Sequence, residues 1–308
     1  MVVVCGEALI DMLQAADGGR RPVPGGGPFN TARALARLGV PAAFLGRLST
    51  DAFGRRLAAL LAADGVSLEL ASVGPERTTV AVADVDRAGV AEYRFELDGT
   101  SAPNLTADAV PEHLPSGVTA IHVGTLGLVL DPMAETLLGL VERDHEGRVV
   151  MLDPNIRTGL IPDGEYRSRV RRAVACSSIV KASESDVAWL FSGMAMQDAA
   201  RMLRAEGVAL VVITLGAAGA FAVHGDFEVS VEAPAVQVVD TIGAGDAFGA
   251  ALLAWLHDHG AMRPEMSLER PALEEALRYA CMAAAVTCSR AGADPPWKAE
   301  LSPTNLRE

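Results

Sequence analysis

Short apolar runs and amphipathic stretches alternate along this chain. Val2 to Ile10 is a β-branched run ending at Asp11, which predicts a first strand. After Pro24-Gly-Gly-Gly-Pro28, a helical pattern runs from Phe29 to Leu38 and stops at Gly39. Ala42 to Leu48, Ile121 to Val123, Val149 to Leu152 and Val208 to Leu215 read as further strands, and Asp51 to Ala63, Pro132 to Arg143 and Glu165 to Ala175 as helices. This alternation predicts an α/β fold, a mostly parallel central sheet with helices on both faces. One region breaks the rhythm. Thr78 to Asp84 and Glu92 to Glu96 read as two short strands joined by a turn at Asp86 to Gly89, with Met12 to Ala16 as a further strand beside them. The expectation is one domain over residues 1–308, carrying a small β-sheet built from roughly 11–22 and 70–100. Two long Ala-rich helices, Ala244 to His257 and Leu273 to Arg290, follow in the C-terminal third.

Composition narrows the function classes. Hydrophobic residues make up 50% of 308 and charged residues 21%, enough for a packed core. The formal net charge of −13 offers no electrostatic footprint for nucleic acid or an anionic membrane. Cys5, Cys176, Cys281 and Cys288 form no CxxC pair, so free thiols in a reducing compartment are expected rather than a zinc cluster. Glu7 and Asp11 interrupt the N-terminal apolar run and no basic leader precedes it. No stretch has the about 18 uninterrupted apolar residues of a membrane span. A cytoplasmic protein is expected.

The candidate chemistry lies in two glycine-rich segments. In Asp240-Thr241-Ile242-Gly243-Ala244-Gly245-Asp246, small residues at a helix start let backbone amides converge on an anion. A carboxylate in such a cradle repels phosphate unless it has a task, and taking a proton from a hydroxyl is one. The competing reading makes Asp246 a first-turn residue favoured by the helix dipole by about 0.3–1 kcal/mol. Gly25-Gly26-Gly27-Pro28-Phe29-Asn30 allows close backbone approach to a ligand. Asn30 and Asp11 are suited to sugar hydroxyls, unless the segment is only a tight turn with Asn30 facing solvent. Gly25-x-Gly27-x-x-Asn30 lacks the third glycine of a dinucleotide fingerprint, and no GxxxxGK[ST] occurs. The six histidines have no metal-ligand spacing.

Together these segments, with Gly46-Arg-Leu-Ser-Thr-Asp51-Ala-Phe-Gly54, resemble the ribokinase-like (PfkB) carbohydrate kinase family over nearly the whole chain. The resemblance implies an ATP-dependent kinase acting on a sugar hydroxyl. Asp246 would be the base, and the amides of Gly243, Ala244, Gly245 and Asp246 the anion hole. Asp11, Gly26, Gly27 and Asn30 would form the sugar site. Thr214-Leu-Gly216-Ala-Ala-Gly219 is similar to the family's nucleotide-binding turn. Ser183-Glu-Ser-Asp186 resembles its NxxE segment, with Ser183 near ATP and Asp186 holding Mg²⁺ through water, although Ser stands for Asn and Asp for Glu. Asp240 and Ile242 match positions whose carbonyls hold a monovalent cation such as K⁺. The segment from Thr78 to Glu96 would be a lid that excludes water.

Asp153-Pro-Asn155-Ile-Arg157 is similar to the DPNxR segment of the fructokinase and 2-keto-3-deoxygluconate kinase branches. Tyr93 to Ala102 resembles the fructokinase lid but departs from it at Glu96, Leu97 and Pro103. Fructose is the expected substrate and 2-keto-3-deoxygluconate the alternative, its carboxylate calling for Arg157 or Arg94. A third reading is a sugar- or nucleotide-sensing protein that kept the fold and lost the chemistry. The apolar set Val80, Val82, Val85, Val90, Tyr93 and Phe95 leads to the expectation of a homodimer through the lid.

Overall fold

In the computed structural model, which describes residues 1–14, 19–85 and 91–301, the first apolar run makes two strands. Gly6, at a φ of +139° and with no room for a side chain against Pro28, separates β1 (Val2–Cys5) from β2 (Leu9–Gln14). β3 (Arg20–Gly25) and α1 (Gly27–Arg37) follow. The predicted strand at 42–48 likewise divides at Gly46 into β4 (Ala42–Leu45) and β5 (Arg47–Ser49). Asp51 caps α2 (Ala52–Ala63) by accepting from the Gly54 amide at 2.7 Å. Next come β6 (Ser72–Gly74), β7 (Val80–Val85) and β8 (Ala91–Glu96). The turn at 86–89, Val90 and the end of the strand expected at 12–16 lie outside the described residues. β9 (Ala120–Gly124), α3 (Met133–Asp144), β10 (Val149–Asp153), α4 (Asp163–Ala175), β11 (Ile179–Ser183), α5 (Glu184–Leu190), α6 (Met196–Ala205) and β12 (Leu210–Thr214) then alternate. β13 (Ala220–His224), β14 (Phe227–Val231), α7 (Ala244–Asp258) and α8 (Arg270–Cys288) are the last strands and α-helices among the described residues.

The central sheet has the order β14-β13-β12-β11-β10-β9-β1-β4, parallel from β4 to β12. β13 and β14 are antiparallel additions. Strands β1, β9 and β10 are buried at every residue, as expected where helices cover both faces. One core layer packs α1, α2, α7 and α8 on the sheet; the other packs α3, α4 and α6. From β1 the chain goes to β4 on one side and returns to β9 on the other. Ligands bind at such switch points, outside the carboxyl ends of the strands.

The second sheet, β3-β2-β7-β8, stands at that end. Its register places Asp11 beside Ala81, and Ala81 opposite Phe95; Val82 lies opposite Arg94. The apolar set expected to share one outer face is therefore divided. Phe95 lines the cleft described below. On the other face Val82 is buried and Val80 packs on the chain's own core. The helices expected from 165 and 273 begin two and three residues earlier, at Asp163 and Arg270.

Candidate active site

A cleft of about 660 Å³ lies at the carboxyl ends of β1, β9, β10, β11 and β12, bounded by β2, α1 and the start of α7. The break after β1 sets Glu7 in its wall, where Glu7 Oε1 accepts from the Gly27 amide at 3.2 Å. Gly26, the residue before α1, has a φ of +106°, and a Cβ on it would lie 2.8 Å from the Glu7 carbonyl oxygen. A Cβ on Gly27 would lie 2.7 Å from Thr125 Oγ1 and 3.4 Å from Asp246 Oδ1. Both positions therefore require glycine, and the chain here is open to a ligand on its backbone side.

One turn into α1, Asn30 Nδ2 donates to Asp246 Oδ2 at 2.9 Å. These residues are 216 apart in sequence, and both are buried. Gly243, in the left-handed region at a φ of +77°, turns the chain into α7 and leaves Asp246 in the first turn. The first amides of a helix have no intrahelical acceptor, so the N–H groups of Gly245 and Asp246 and the dipole of a 15-residue helix favour an anion beside the carboxylate. Burial, with the charge of Asp153, pushes the Asp246 carboxyl up to about 6, against Asn30, Lys181 and Arg157. Burial also raises Asp11 to about 6 and Glu7 to about 8. A carboxylate poised there can accept a proton near neutral pH.

The other expected residues divide. Asp11, Arg157, Ser183, Thr214, Gly216, Gly243, Gly245 and Ile242 line the cleft. Gly219, at a φ of +100°, closes the β12–β13 turn, where Leu215 N–H donates to its carbonyl at 2.8 Å. Ala244 and Asp240 are outside the lining. The Asp240 carboxylate accepts from the Ile242 and Gly292 amides at 3.0 and 2.9 Å, joining two loops. Arg94 does not reach the cleft. Strand alternation turns it to the face opposite Phe95, where it is 61% exposed and 3.8 Å from Glu96.

Asp186 lines the cleft, and its carboxylate accepts three hydrogen bonds from the protein. Oδ1 accepts from the Ile156 amide at 2.8 Å; Oδ2 accepts from the Ser183 amide at 2.8 Å and hydroxyl at 2.6 Å. This is a capping box at the start of α5. Among the described residues no three His, Cys, Asp or Glu side chains are grouped to hold a metal ion. The donor set suits a divalent ion carried by nucleotide phosphates and water, as Mg²⁺ commonly is.

Sequence reasoning missed several lining residues. Lys181, in the middle of an otherwise apolar strand, donates to Asp153 Oδ2 at 2.7 Å with both side chains buried. Thr125 and Asn155 both have positive φ, 52° and 39°, and Asn155 Nδ2 donates to Thr125 Oγ1 at 3.3 Å. Such strain in non-glycine residues concentrates at functional sites. The available signal was a charge inside an apolar run, at Lys181 and Glu7.

The model of the pfkB family carbohydrate kinases matches residues 1–300. The chain belongs to this family. It is a sugar phosphotransferase, and two GxG-containing segments far apart in sequence meet in its cleft. It is 40% identical over 262 residues to a fructokinase of Rhizobium leguminosarum bv. trifolii, covering 83% of this chain and 79% of that one. A fructokinase of Vibrio alginolyticus is 30% identical over 97% of both chains. Among solved structures, fructokinase from Vibrio cholerae O395 with fructose, ADP and calcium bound superposes with a TM-score of 0.83 at 27% identity, over 95% of this chain and 94% of that one. Aminoimidazole riboside kinase from Salmonella enterica, with its riboside and an ATP analogue, gives 0.86 at 27% identity over 99% of both. The fold and family expected from the sequence are those found.

Proposed function

We propose that this kinase transfers the γ-phosphoryl group of ATP to fructose, with Asp246 as general base. The observation that carries the reading is the Asn30–Asp246 hydrogen bond at the start of α7. It joins a group suited to sugar hydroxyls, a proton acceptor and the helix N-terminus in one buried place. Glu7, Asp11 and Asn30 accept and donate hydrogen bonds to the sugar, which lies against the bare backbone of Gly26 and Gly27. Thr214 and Gly216 flank the nucleotide. The amides at the start of α7 hold the phosphoryl group in line with the acceptor hydroxyl, and Asp246 takes the hydroxyl proton as the new P–O bond forms. Catalysis is then mainly positioning and charge stabilisation. Mg²⁺, when bound with ATP, would neutralise phosphate charge. Phe95 and the β2–β7–β8 sheet cover the sugar side as a lid, which limits wasteful hydrolysis.

Relatives named as fructokinases support fructose, and so does the charge of the cleft. The carboxyl groups of Glu7, Asp11 and Asp246 line the sugar side. Asp11 and Asp246 ionise near pH 6, and Glu7, raised to about 8, stays protonated at neutral pH and can donate; together they suit a neutral polyol. A 2-keto-3-deoxy acid would need cations; Arg94 is turned away, which leaves Arg157 as the one of the two expected arginines in the cleft. A panel of ketoses, aldoses, keto-deoxy acids and nucleosides should give its highest kcat/KM with fructose. A clear preference for a riboside, as in the aminoimidazole riboside kinase, would move the substrate assignment and leave the kinase intact. A folded protein with no turnover on any of them would favour the sensing role.

A homodimer through the lid belongs to the same proposal, resting now on a different feature. β8 is the outer strand of its sheet, and an open edge is a template for pairing with a second copy. Light scattering at micromolar concentration should give twice the 32.1 kDa of one chain. A 32.1 kDa species alone would refute it.

A further inference from the structure

The family's two glycine segments leave the cleft without a P-loop lysine, yet a buried ammonium lies in it. Lys181 is the third residue of β11, 4% exposed, and lines the cleft beside Gly245 and Asp246. Its Nζ is 3.0 Å from where a Cβ on Gly245 would stand. The ammonium therefore lies directly against the backbone that begins α7, and a side chain at 245 would crowd it. Of its three N–H groups, the hydrogen bond to Asp153 Oδ2 at 2.7 Å uses one. Burial alone would favour the neutral amine. The charges of Asp153, Asp246 and Asp186 outweigh that, so the ammonium is held above its ordinary pKa. Burial raises the Asp153 carboxyl while Lys181 opposes it; with three carboxylates acting on one ammonium, the charge on Lys181 is the firmer of the two.

A structural ion pair would be expected to satisfy both partners, because unpaired buried polar atoms are costly. This pair does not. Asp153 Oδ1 is buried without a partner, and the remaining Lys181 N–H groups are next to the helix start where an anion is favoured. Resting on the phosphotransfer reading above, we propose that Lys181 is a further catalytic residue: its ammonium donates to the transferring phosphoryl group beside the amides of Gly245 and Asp246, while Asp153 anchors it. In the transfer, the acceptor oxygen bonds to the γ-phosphorus and the bridging P–O bond breaks. ADP leaves with that electron pair, and the hydroxyl proton goes to Asp246. Lys181 stays protonated throughout and offsets charge on the phosphoryl oxygens.

Lys181→Met should lower kcat by on the order of 10²-fold, the loss typical of one oxyanion donor, and leave the KM for sugar within about threefold. Because that variant strands the Asp153 charge, the double variant Lys181→Met/Asp153→Leu replaces the whole pair with apolar groups, a change that often leaves stability intact. It should fold with a similar loss of kcat. Calorimetry supplies a readout that needs no sugar. With Mg²⁺ present, the double variant should bind a non-hydrolysable ATP analogue about tenfold more weakly than the natural chain, with ADP binding within about threefold. Equal weakening of both nucleotides, or no weakening of either, would overturn the assignment. So would a folded double variant with normal kcat. If the natural chain turns over and Asp246→Asn does not, while the Lys181 variants turn over normally, only the role of Lys181 falls.

Discussion

Asp246 combines a hydrogen bond from Asn30, burial and a helix start, and these set opposite expectations for activity and stability. Asp246→Asn preserves shape but removes proton acceptance, so kcat should fall by about 10²–10⁴. Its folded pKa of about 6 lies above the ordinary 3.8. The carboxyl therefore favours the folded state below pH ~4, and that contribution is lost as pH rises through about 6. The Asn variant should melt higher than the natural chain at pH 8, with the gain shrinking toward pH 4. A mere helix-dipole role predicts a lower melting point and unchanged turnover. Asp11 is also raised to about 6 by burial. If both must be ionised, log kcat/KM should fall below pH ~6 with a slope approaching 2; a slope of 1 would leave one of them unneeded. The glycine-flanked residues of this site were legible in sequence because backbone approach requires small residues at fixed spacing. Lys181 and Glu7 were not, since a single charge in an apolar run becomes informative only when the sheet brings its neighbours into place.

At the level of elements, strand and helix types were legible, and the breaks were less so. Gly6 and Gly46 each divide an apolar run whose two halves serve different sheets, and periodicity cannot register that. The side of β8 that Arg94 faces depends on pairing register with β7, which is also invisible before folding. The short helix α5 shows the same limit. Ser183 and Asp186 were legible as a match to a metal-linked motif, yet their side chains close the capping box and tie β11, α5 and the segment at Ile156 together. Asp186→Ala removes acceptors for three donors and should cost about 2–4 kcal/mol of stability. The magnesium concentration for half-maximal rate should hardly change. A large rise in that requirement, with little loss of melting temperature, would give this side chain the metal role expected from the sequence.

At the scale of the whole molecule, the parallel sheet and its alternating helices were legible, and with them the end of the sheet where a ligand binds. The chain's charge of −13 then raises a problem for a kinase, because its nucleotide is also an anion. The cleft adds acidic groups at Asp11, Asp153, Glu184, Asp186 and Asp246, with Glu7 protonated at neutral pH, against Lys181 and Arg157 among the described lining residues. A chelator of divalent ions should abolish turnover, since free ATP would meet this field with its full charge. Ionic strength provides the finer test. At about 0.01 M salt the Debye length is about 30 Å, and at about 0.15 M about 8 Å, so the added salt screens the outer surface and leaves the buried cleft largely unscreened. If the outer charge repels nucleotide, kcat/KM for ATP should rise a few fold over that range, at saturating magnesium and fixed potassium. A fall would mean that attraction by Lys181, Arg157 and the start of α7 already governs approach from solution. The two outcomes have opposite signs, so one salt series read by initial rates decides whether the molecule's field or its cleft controls encounter.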